Sequence, residues 1–147
     1  MATRHFGKLK PRYRFALNPY PDVRFSRCPN CEKLMHARKF PLLLHLGGTL
    51  LTLGFTCRYC TPCEFIIAHR HELELQLEFF KAQHPDVRVD ELFVVGTVDR
   101  KAWERSLGNH GALSLDELRE HTSDIKDPRE IIYERPTWVR ADTEENG

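Results

Sequence analysis

The chain has 147 residues, of which 41% are hydrophobic and 29% are charged, with a formal net charge of +1. This length and apolar content suit one globular domain, or one domain with a small lobe, and exclude collagen-like, mucin-like and strongly disordered chains. All five cysteines lie between Cys28 and Cys63. An odd number of cysteines in one short stretch argues against a disulfide scaffold.

The small net charge conceals two opposite halves. Residues 1–40 carry ten Lys and Arg against two acids, whereas residues 71–147 carry ten against eighteen. A basic segment can bind nucleic acid or another polyanion, but charged side chains that face water or offset each other are the ordinary case. The candidate nucleic-acid-binding residues are Arg12, Arg14, Arg24, Arg27, Lys33, Arg38, Lys39 and Arg58.

The order of segments predicts four parts. These are a basic N-terminal arm (1–22), a zinc-binding hairpin with a long helix (23–84), a C-terminal α/β portion packed on it (85–140) and a disordered tail (141–147). The arm lacks the apolar centre of a secretory signal, and the longest apolar stretch, 40–55, is too short and too interrupted for a membrane span. We therefore expect a cytoplasmic protein with reduced thiols and no membrane partner.

Two apolar runs, 40–46 and 49–55, flank Gly47 and Gly48 and predict a β-hairpin with a two-residue primed turn. A regular hairpin centred on these glycines pairs Leu46 with Thr49 and Arg38 with Cys57. After Cys60, the sequence Thr-Pro-Cys-Glu is typical of a capping box. It predicts a helix that continues over residues 65–83, where Glu, Leu, Gln and Ala favour helix, and that ends at His84.

The C-terminal portion has weaker patterns. Residues 92–98 predict a buried strand, and Asp99 can cap a short helix. A second capping box, from Ser114 to Glu117, opens a helix through about His121. Short strands are predicted at 131–133 and 137–139.

Cys28-x-x-Cys31 and Cys57-x-x-Cys60 have the pair-loop-pair spacing of structural zinc sites. Zinc takes four ligands in a tetrahedron, so each Cys-x-x-Cys turn supplies one edge and the predicted hairpin brings the two edges together. The predicted metal ligands are Cys28, Cys31, Cys57 and Cys60, and the predicted cofactor is Zn2+.

These knuckles resemble those of zinc ribbons, treble-clef zinc fingers and rubredoxin-like sites, over residues 24–83. The resemblance implies that the zinc has a structural role and not a catalytic one. Such modules occur in nucleic-acid-binding proteins, in protein-interaction domains and as stabilising elements of enzymes. The predicted fold class is α+β, a zinc-ribbon or treble-clef-like hairpin followed by a long helix, with a small C-terminal α/β lobe. In a treble clef the second pair straddles the helix start, which makes Cys63 a substitute ligand. We favour Cys57 with Cys60, because Cys63 follows the capping turn.

Two other chemistries remain open. Cys57, Cys60 and Cys63, with a remote Cys28, superficially match an iron-sulfur cluster pattern, and Cys60-x-x-Cys63 at a helix start could form a thiol redox site. The sequence shows no catalytic triad, phosphate-binding loop or zinc-protease motif, so no catalytic residue is predicted. We expect a small zinc-binding protein that acts as a binding module and associates with nucleic acid. The alternatives are a protein-interaction adaptor or an iron-sulfur or thiol redox protein.

Overall fold

The strands of this protein close into a barrel. The computed structural model describes residues 5–88, 91–108 and 113–131. The order of the strands around the barrel is β1-β4-β3-β2-β5-β6, and parallel pairing of β6 with β1 closes it. The strands are β1 (Leu9–Asn18), β2 (His36–Leu46), β3 (Thr49–Cys60), β4 (Phe65–His69), β5 (Leu92–Val98) and β6 (Thr122–Glu130), and the helices are α1 (Arg70–Gln83), α2 (Arg100–Gly108) and α3 (Leu115–His121).

The β2–β3 hairpin has the predicted register. Gly47 and Gly48 form its turn with φ of 55° and 95°, the left-handed region that a primed turn requires and that glycine occupies without strain. Leu46 pairs with Thr49, and Arg38 pairs with Cys57. The hairpin is confirmed, and it is longer than predicted because β3 continues to Cys60.

Residues 9–18, which the sequence assigns to a basic arm, form a barrel strand. β1 pairs in parallel with β4 on one side and with β6 on the other. Tyr13, Phe15 and Ala16 are buried, whereas Lys10 and Arg12 are exposed. The basic residues conceal the strand in the sequence because they occupy its solvent-facing positions.

Residues 65–69 correct the predicted start of the long helix. They form β4, which lies between β1 and β3 with all five residues buried. The β-branched Ile66 and Ile67 suit a strand that is buried on both faces. Helix α1 begins at Arg70, where the Nδ1 atom of His69 accepts a hydrogen bond of 3.3 Å from the Glu72 N–H. The predicted helix end is confirmed, since His84 is the C-cap.

The C-terminal elements match the prediction in part. β5 spans the predicted residues, α2 follows Asp99, and Ser114 forms the predicted capping box of α3 with Glu117. The sequence does not predict β6, because its residues are mostly polar and only Thr122 is fully buried. The strands predicted at 131–133 and 137–139 and the tail predicted at 141–147 lie outside the described residues, except that Ile131 follows β6 without strand pairing.

The predicted α+β class is therefore wrong. β5 and β6 lie in residues 85–140, which the sequence assigns to an α/β portion packed on the hairpin and helix, but they are walls of the same barrel as the hairpin. Closure depends on pairs such as Arg14 with Asp127, which are distant in the chain. Local periodicity identifies a strand but does not show which distant strand it pairs with.

The barrel is filled by inward-facing apolar side chains, and the helices cover its surfaces. Leu42, Leu44 and Leu46 of β2 have no exposed surface in this core, and Leu73 and Leu77 of α1 join it. A second cluster packs α2 and α3 against the barrel wall through Leu43, Val98, Ala102 and Leu118. Among the residues described, no helix combines the length and the apolar character that crossing a membrane requires.

We expect Gly54→Ala to destabilise the fold by about 1–3 kcal/mol, as overpacking does. A Cβ at residue 54 would lie 2.5 Å from Cζ2 and 2.8 Å from Cη2 of Trp103 on α2. Denaturant unfolding of both single variants and the double variant measures the coupling. In the Trp103→Ala background the added methyl should cost much less, and an equal cost in both backgrounds would contradict this packing.

Candidate metal centre

The first knuckle is the turn from Cys28 to Cys31. An isolated antiparallel bridge between Arg27 and Leu34 closes it at its base. The Cys28 N–H donates to the Lys33 carbonyl at 2.8 Å, and the Glu32 N–H donates to the Cys28 carbonyl at 2.8 Å. Backbone hydrogen bonds therefore hold both cysteines on one tight turn.

The second knuckle is the turn between β3 and β4. Cys60 ends β3 and pairs with Phe65, which begins β4, so residues 61–64 form the connection. The Glu64 N–H donates to the Thr61 carbonyl at 3.2 Å. The Thr61-to-Glu64 pattern thus makes a hairpin turn rather than the predicted helix cap.

The two knuckles repeat one backbone feature. Each Cys-x-x-Cys is followed by a glutamate in the left-handed region, Glu32 with φ of 66° and Glu64 with φ of 49°. A residue with a Cβ occupies this region at a cost of roughly 1–2 kcal/mol. Because both turns accept this cost, we infer that the backbone must reverse direction directly after the second cysteine of each knuckle.

The knuckles bring four sulfur atoms together. The Sγ atoms of Cys28, Cys31, Cys60 and Cys63 all lie within 4.8 Å of one another. Two of the separations are 3.5 Å, between Cys31 and Cys60, and 4.0 Å, between Cys28 and Cys63. A tetrahedron with zinc–sulfur bonds of about 2.3 Å has sulfur–sulfur edges of roughly 3.8 Å. The sulfur separations are thus compatible with four ligands around a single tetrahedral ion.

The electrostatics of the cluster also favour a cation. The Lys33 N–H lowers the pKa of Cys31 to about 7, whereas burial raises the pKa of Cys28 and raises that of Cys60 to about 12. Four thiolates at these separations would repel one another strongly, because Cys28 and Cys60 are buried and only Cys31 and Cys63 are partly exposed. A divalent ion offsets this repulsion and takes the place of the thiol protons.

Neighbouring amide groups donate hydrogen bonds that stabilise negative charge on the cysteine sulfur atoms. The Asn30 N–H donates to the Cys28 sulfur at 3.3 Å, and the Asn30 side-chain amide donates to the Cys63 sulfur at 3.2 Å. Asn30 thereby links the two knuckles directly. Ala16, Met35, Phe65, Ile67 and Ile131 pack around the buried cysteines and limit the access of water.

Cys57 lies apart from this cluster. It is buried in the barrel core, where its thiol contacts the Phe55 carbonyl at 3.5 Å and burial raises its pKa to about 12. The structure therefore brings the predicted Cys28, Cys31 and Cys60 together with Cys63, the substitute, and not with Cys57. The alternation of side chains along a strand could have separated Cys57 from Cys60 in the sequence. Two residues three apart on one strand point to opposite faces of the sheet.

The predicted nucleic-acid-binding residues differ in the partners that they contact. Arg12, Arg14 and Arg24 form ion pairs with Glu64, Asp127 and Glu72, at 2.9, 3.0 and 3.0 Å. Arg27 donates to the Glu32 carbonyl at 3.2 Å. Across residues 5–88, 91–108 and 113–131, the remaining four form no ion pair with a carboxylate and are exposed; they are Lys33, Arg38, Lys39 and Arg58.

We expect Cys57 to resist alkylation by iodoacetamide at pH 8 in the folded protein and to react after unfolding in guanidinium. Its high pKa and its burial leave almost no accessible thiolate. An Arg58→Cys variant provides the control, because residue 58 is exposed on the same strand. Mass spectrometry locates the label, and labelling of Cys57 as fast as that control thiol would contradict the placement.

Comparisons with protein-family models, with curated proteins and with solved structures give no match to this chain. The resemblance to zinc ribbons therefore rests on the knuckles alone. Function has to be inferred from the residues and their geometry.

Proposed function

We propose that this protein binds one structural zinc ion through Cys28, Cys31, Cys60 and Cys63. The observation that carries the proposal is the convergence of four sulfur atoms within 4.8 Å from two separate turns. Four thiolates in a tetrahedral arrangement are typical of zinc sites that are closed to substrate. The ion supplies cohesion rather than a reaction, since all four positions would be taken by protein ligands.

The contribution of zinc is to hold the first knuckle on the barrel. Among the described residues, the segment between β1 and β2 has one bridged pair, Arg27 with Leu34, and lacks a longer strand. A metal bond from Cys28 and Cys31 to the β3–β4 turn fixes this segment. Binding free energy of this kind contributes directly to folding.

The two rival chemistries fit the geometry less well. The iron-sulfur pattern needs Cys57, which lies in the barrel core, and sulfur separations below 4.8 Å suit one ion rather than a cluster of several. The redox alternative needs Cys60 and Cys63 at a helix N-terminus, where the helix dipole lowers a thiol pKa. Helix α1 begins at Arg70, so this source of activation is absent from the β3–β4 turn.

Elemental analysis of purified protein should find one zinc per chain. Cys63→Ser and Cys57→Ser form a matched pair of variants, because both replace a thiol by a hydroxyl near the end of β3. We expect the first to lose zinc and the second to retain it. Retention of zinc by Cys63→Ser together with its loss from Cys57→Ser, or iron in place of zinc, would overturn the proposal.

A second proposal concerns the partner. We propose that the exposed basic residues on the β2–β3 hairpin, Arg38, Lys39 and Arg58, contact the phosphates of nucleic acid. They have no carboxylate partner in the described part of the chain, whereas acidic residues already offset Arg12, Arg14 and Arg24. Ion pairs with basic residues of the N-terminal part also occupy three acids of residues 71–147, namely Glu72, Glu120 and Asp127, which makes an acidic adaptor surface the weaker alternative.

Fluorescence anisotropy with a single-stranded oligonucleotide tests this second proposal. Affinity should fall steeply with salt, and replacing Arg38 and Arg58 by Gln should reduce the slope of log K against log salt by about 1 for each phosphate that is no longer neutralised. The control is the replacement of the ion-paired Arg14 and Arg24 by Gln. It should change the slope of log K against log salt only slightly. Absence of binding at about 50 mM salt, or an equal effect of the control pair, would rule the proposal out.

A further inference from the structure

One end of the barrel opens into a cavity of about 290 Å³. Its walls come from the first half of β1, the start of β2, the end of β5, the beginning of β6 and the first residue of α2. The mouth of a barrel is a common place for a small-ligand site. Tyr13 and Phe40 supply its apolar surface, and their rings meet edge to face with centroids 5.5 Å apart.

The charges around this cavity are mainly positive. Arg12, Arg38 and Arg100 line it, from three different elements, against the single acid Asp99. Glu64 partly offsets Arg12 at 2.9 Å, and Asp99 lies 3.8 Å from His121. Arg38 and Arg100 contact no carboxylate within the described residues. The three arginines and one aspartate that line the cavity therefore give it a formal charge of +2, and the two arginines without a carboxylate partner in the described part of the chain are Arg38 and Arg100.

The arginines are held in place before any ligand arrives. The Arg38 guanidinium lies 4.9 Å from the centroid of the Phe40 ring and 5.1 Å from that of the Tyr59 ring. Arg100 donates to the Lys39 carbonyl at 3.2 Å. A cation that stacks on aromatic rings loses less freedom when it binds an anion, because its position is already fixed.

A distortion of β1 shapes the same cavity. Tyr13 has φ of 73°, a conformation that a bulky residue rarely adopts, and the pairing of β1 with β6 shifts register between Leu9 and Arg12. Strain of this kind persists only where the surrounding structure imposes it, and it is frequent at ligand sites. Here it accompanies a buried Tyr13 ring beneath an Arg12 guanidinium that lies 4.6 Å from its centroid.

We infer that this cavity binds a phosphate group, with Arg38 and Arg100 as its principal contacts. A phosphate monoester is close to a dianion at neutral pH, and planar guanidinium groups bind such an anion with paired hydrogen bonds. The apolar ring surface of Tyr13 and Phe40 leaves room for an organic group attached to the phosphate. The inference does not rest on the metal centre, because none of the four cluster cysteines lines this cavity.

Isothermal titration calorimetry of the full chain with inorganic phosphate and with pyrophosphate tests the inference. The experiments run at pH 7.5, with sodium chloride keeping the ionic strength constant. We expect saturable binding that Arg38→Gln and Arg100→Gln each weaken roughly tenfold or more, since each removes charge-assisted hydrogen bonds. Arg105→Gln is the matched control, because Arg105 is an exposed arginine on the same helix as Arg100 and does not line the cavity.

Failure of both probes to bind saturably would overturn the inference, and so would an Arg105→Gln effect as large as that of Arg100→Gln. If Arg38→Gln fails to fold, Arg100→Gln decides the result, since this side chain lies at the exposed start of α2. Competition identifies the source of the phosphate. Displacement of pyrophosphate by a single-stranded oligonucleotide assigns the cavity to nucleic-acid phosphates, whereas independent binding of the two assigns it to a free phosphate compound.

The outcomes are separable from those of the earlier proposals. If the protein binds zinc but not phosphate, the metal-centre proposal is retained and the cavity inference is lost. If it binds phosphate but not zinc, the cavity inference is retained and the metal-centre proposal is lost. A chain that binds pyrophosphate but no oligonucleotide would remove the nucleic-acid proposal and retain the cavity site.

Discussion

A strand points successive side chains to opposite faces, and in β3 this rule decides which cysteines can meet. Phe55, Cys57 and Tyr59 point into the barrel core. Cys60 belongs to the other face, where it packs with Cys28 and Phe65. Because β3 then turns, Cys63 returns to the face of Cys60, and the two sulfurs can bind one ion. Both the barrel and the candidate metal centre therefore depend on β3 ending at Cys60.

The β3–β4 turn also connects the centre to the rest of the barrel. Glu64, directly after Cys63, accepts a backbone hydrogen bond from Arg14 at 2.8 Å and pairs with the Arg12 side chain at 2.9 Å. Both contacts flank Tyr13, where β1 is distorted. A metal that fixes the turn thus also supports the strand that shapes the arginine-lined cavity. The two sites share a structural support while using different side chains.

The sequence predicts local features of this fold well. The glycine pair fixes the β2–β3 register, and Ser114 with Glu117 fixes the start of α3, because both signals act within a few residues. The prediction fails where a pattern is compatible with two structures. Residues 61–64 have the composition of a helix cap, but Glu64 adopts a left-handed conformation and the next residues pair with β1 and β3.

Pairing between strands that are distant in the chain limits what the sequence predicts about the rest of the fold. The basic β1 and the polar β6 show no clear strand pattern, and their parallel pairing joins residues at opposite ends of the chain. The paired charges follow from that topology, since Arg14 meets Asp127 only when the two strands are neighbours. For the candidate site, spacing identifies cysteine chemistry and three of the four clustered residues. The choice between Cys57 and Cys63 needed the knowledge that the strand continues to Cys60, since residues 57 and 60 then face opposite sides of the sheet.

X-ray absorption spectroscopy of the purified protein at the zinc edge tests the central claim most directly. We expect one zinc per chain with a first shell of four sulfur atoms at about 2.3 Å, unchanged in Cys57→Ser. A shell with nitrogen or oxygen ligands in the unaltered chain, or iron as the bound metal, would contradict a four-cysteine zinc centre.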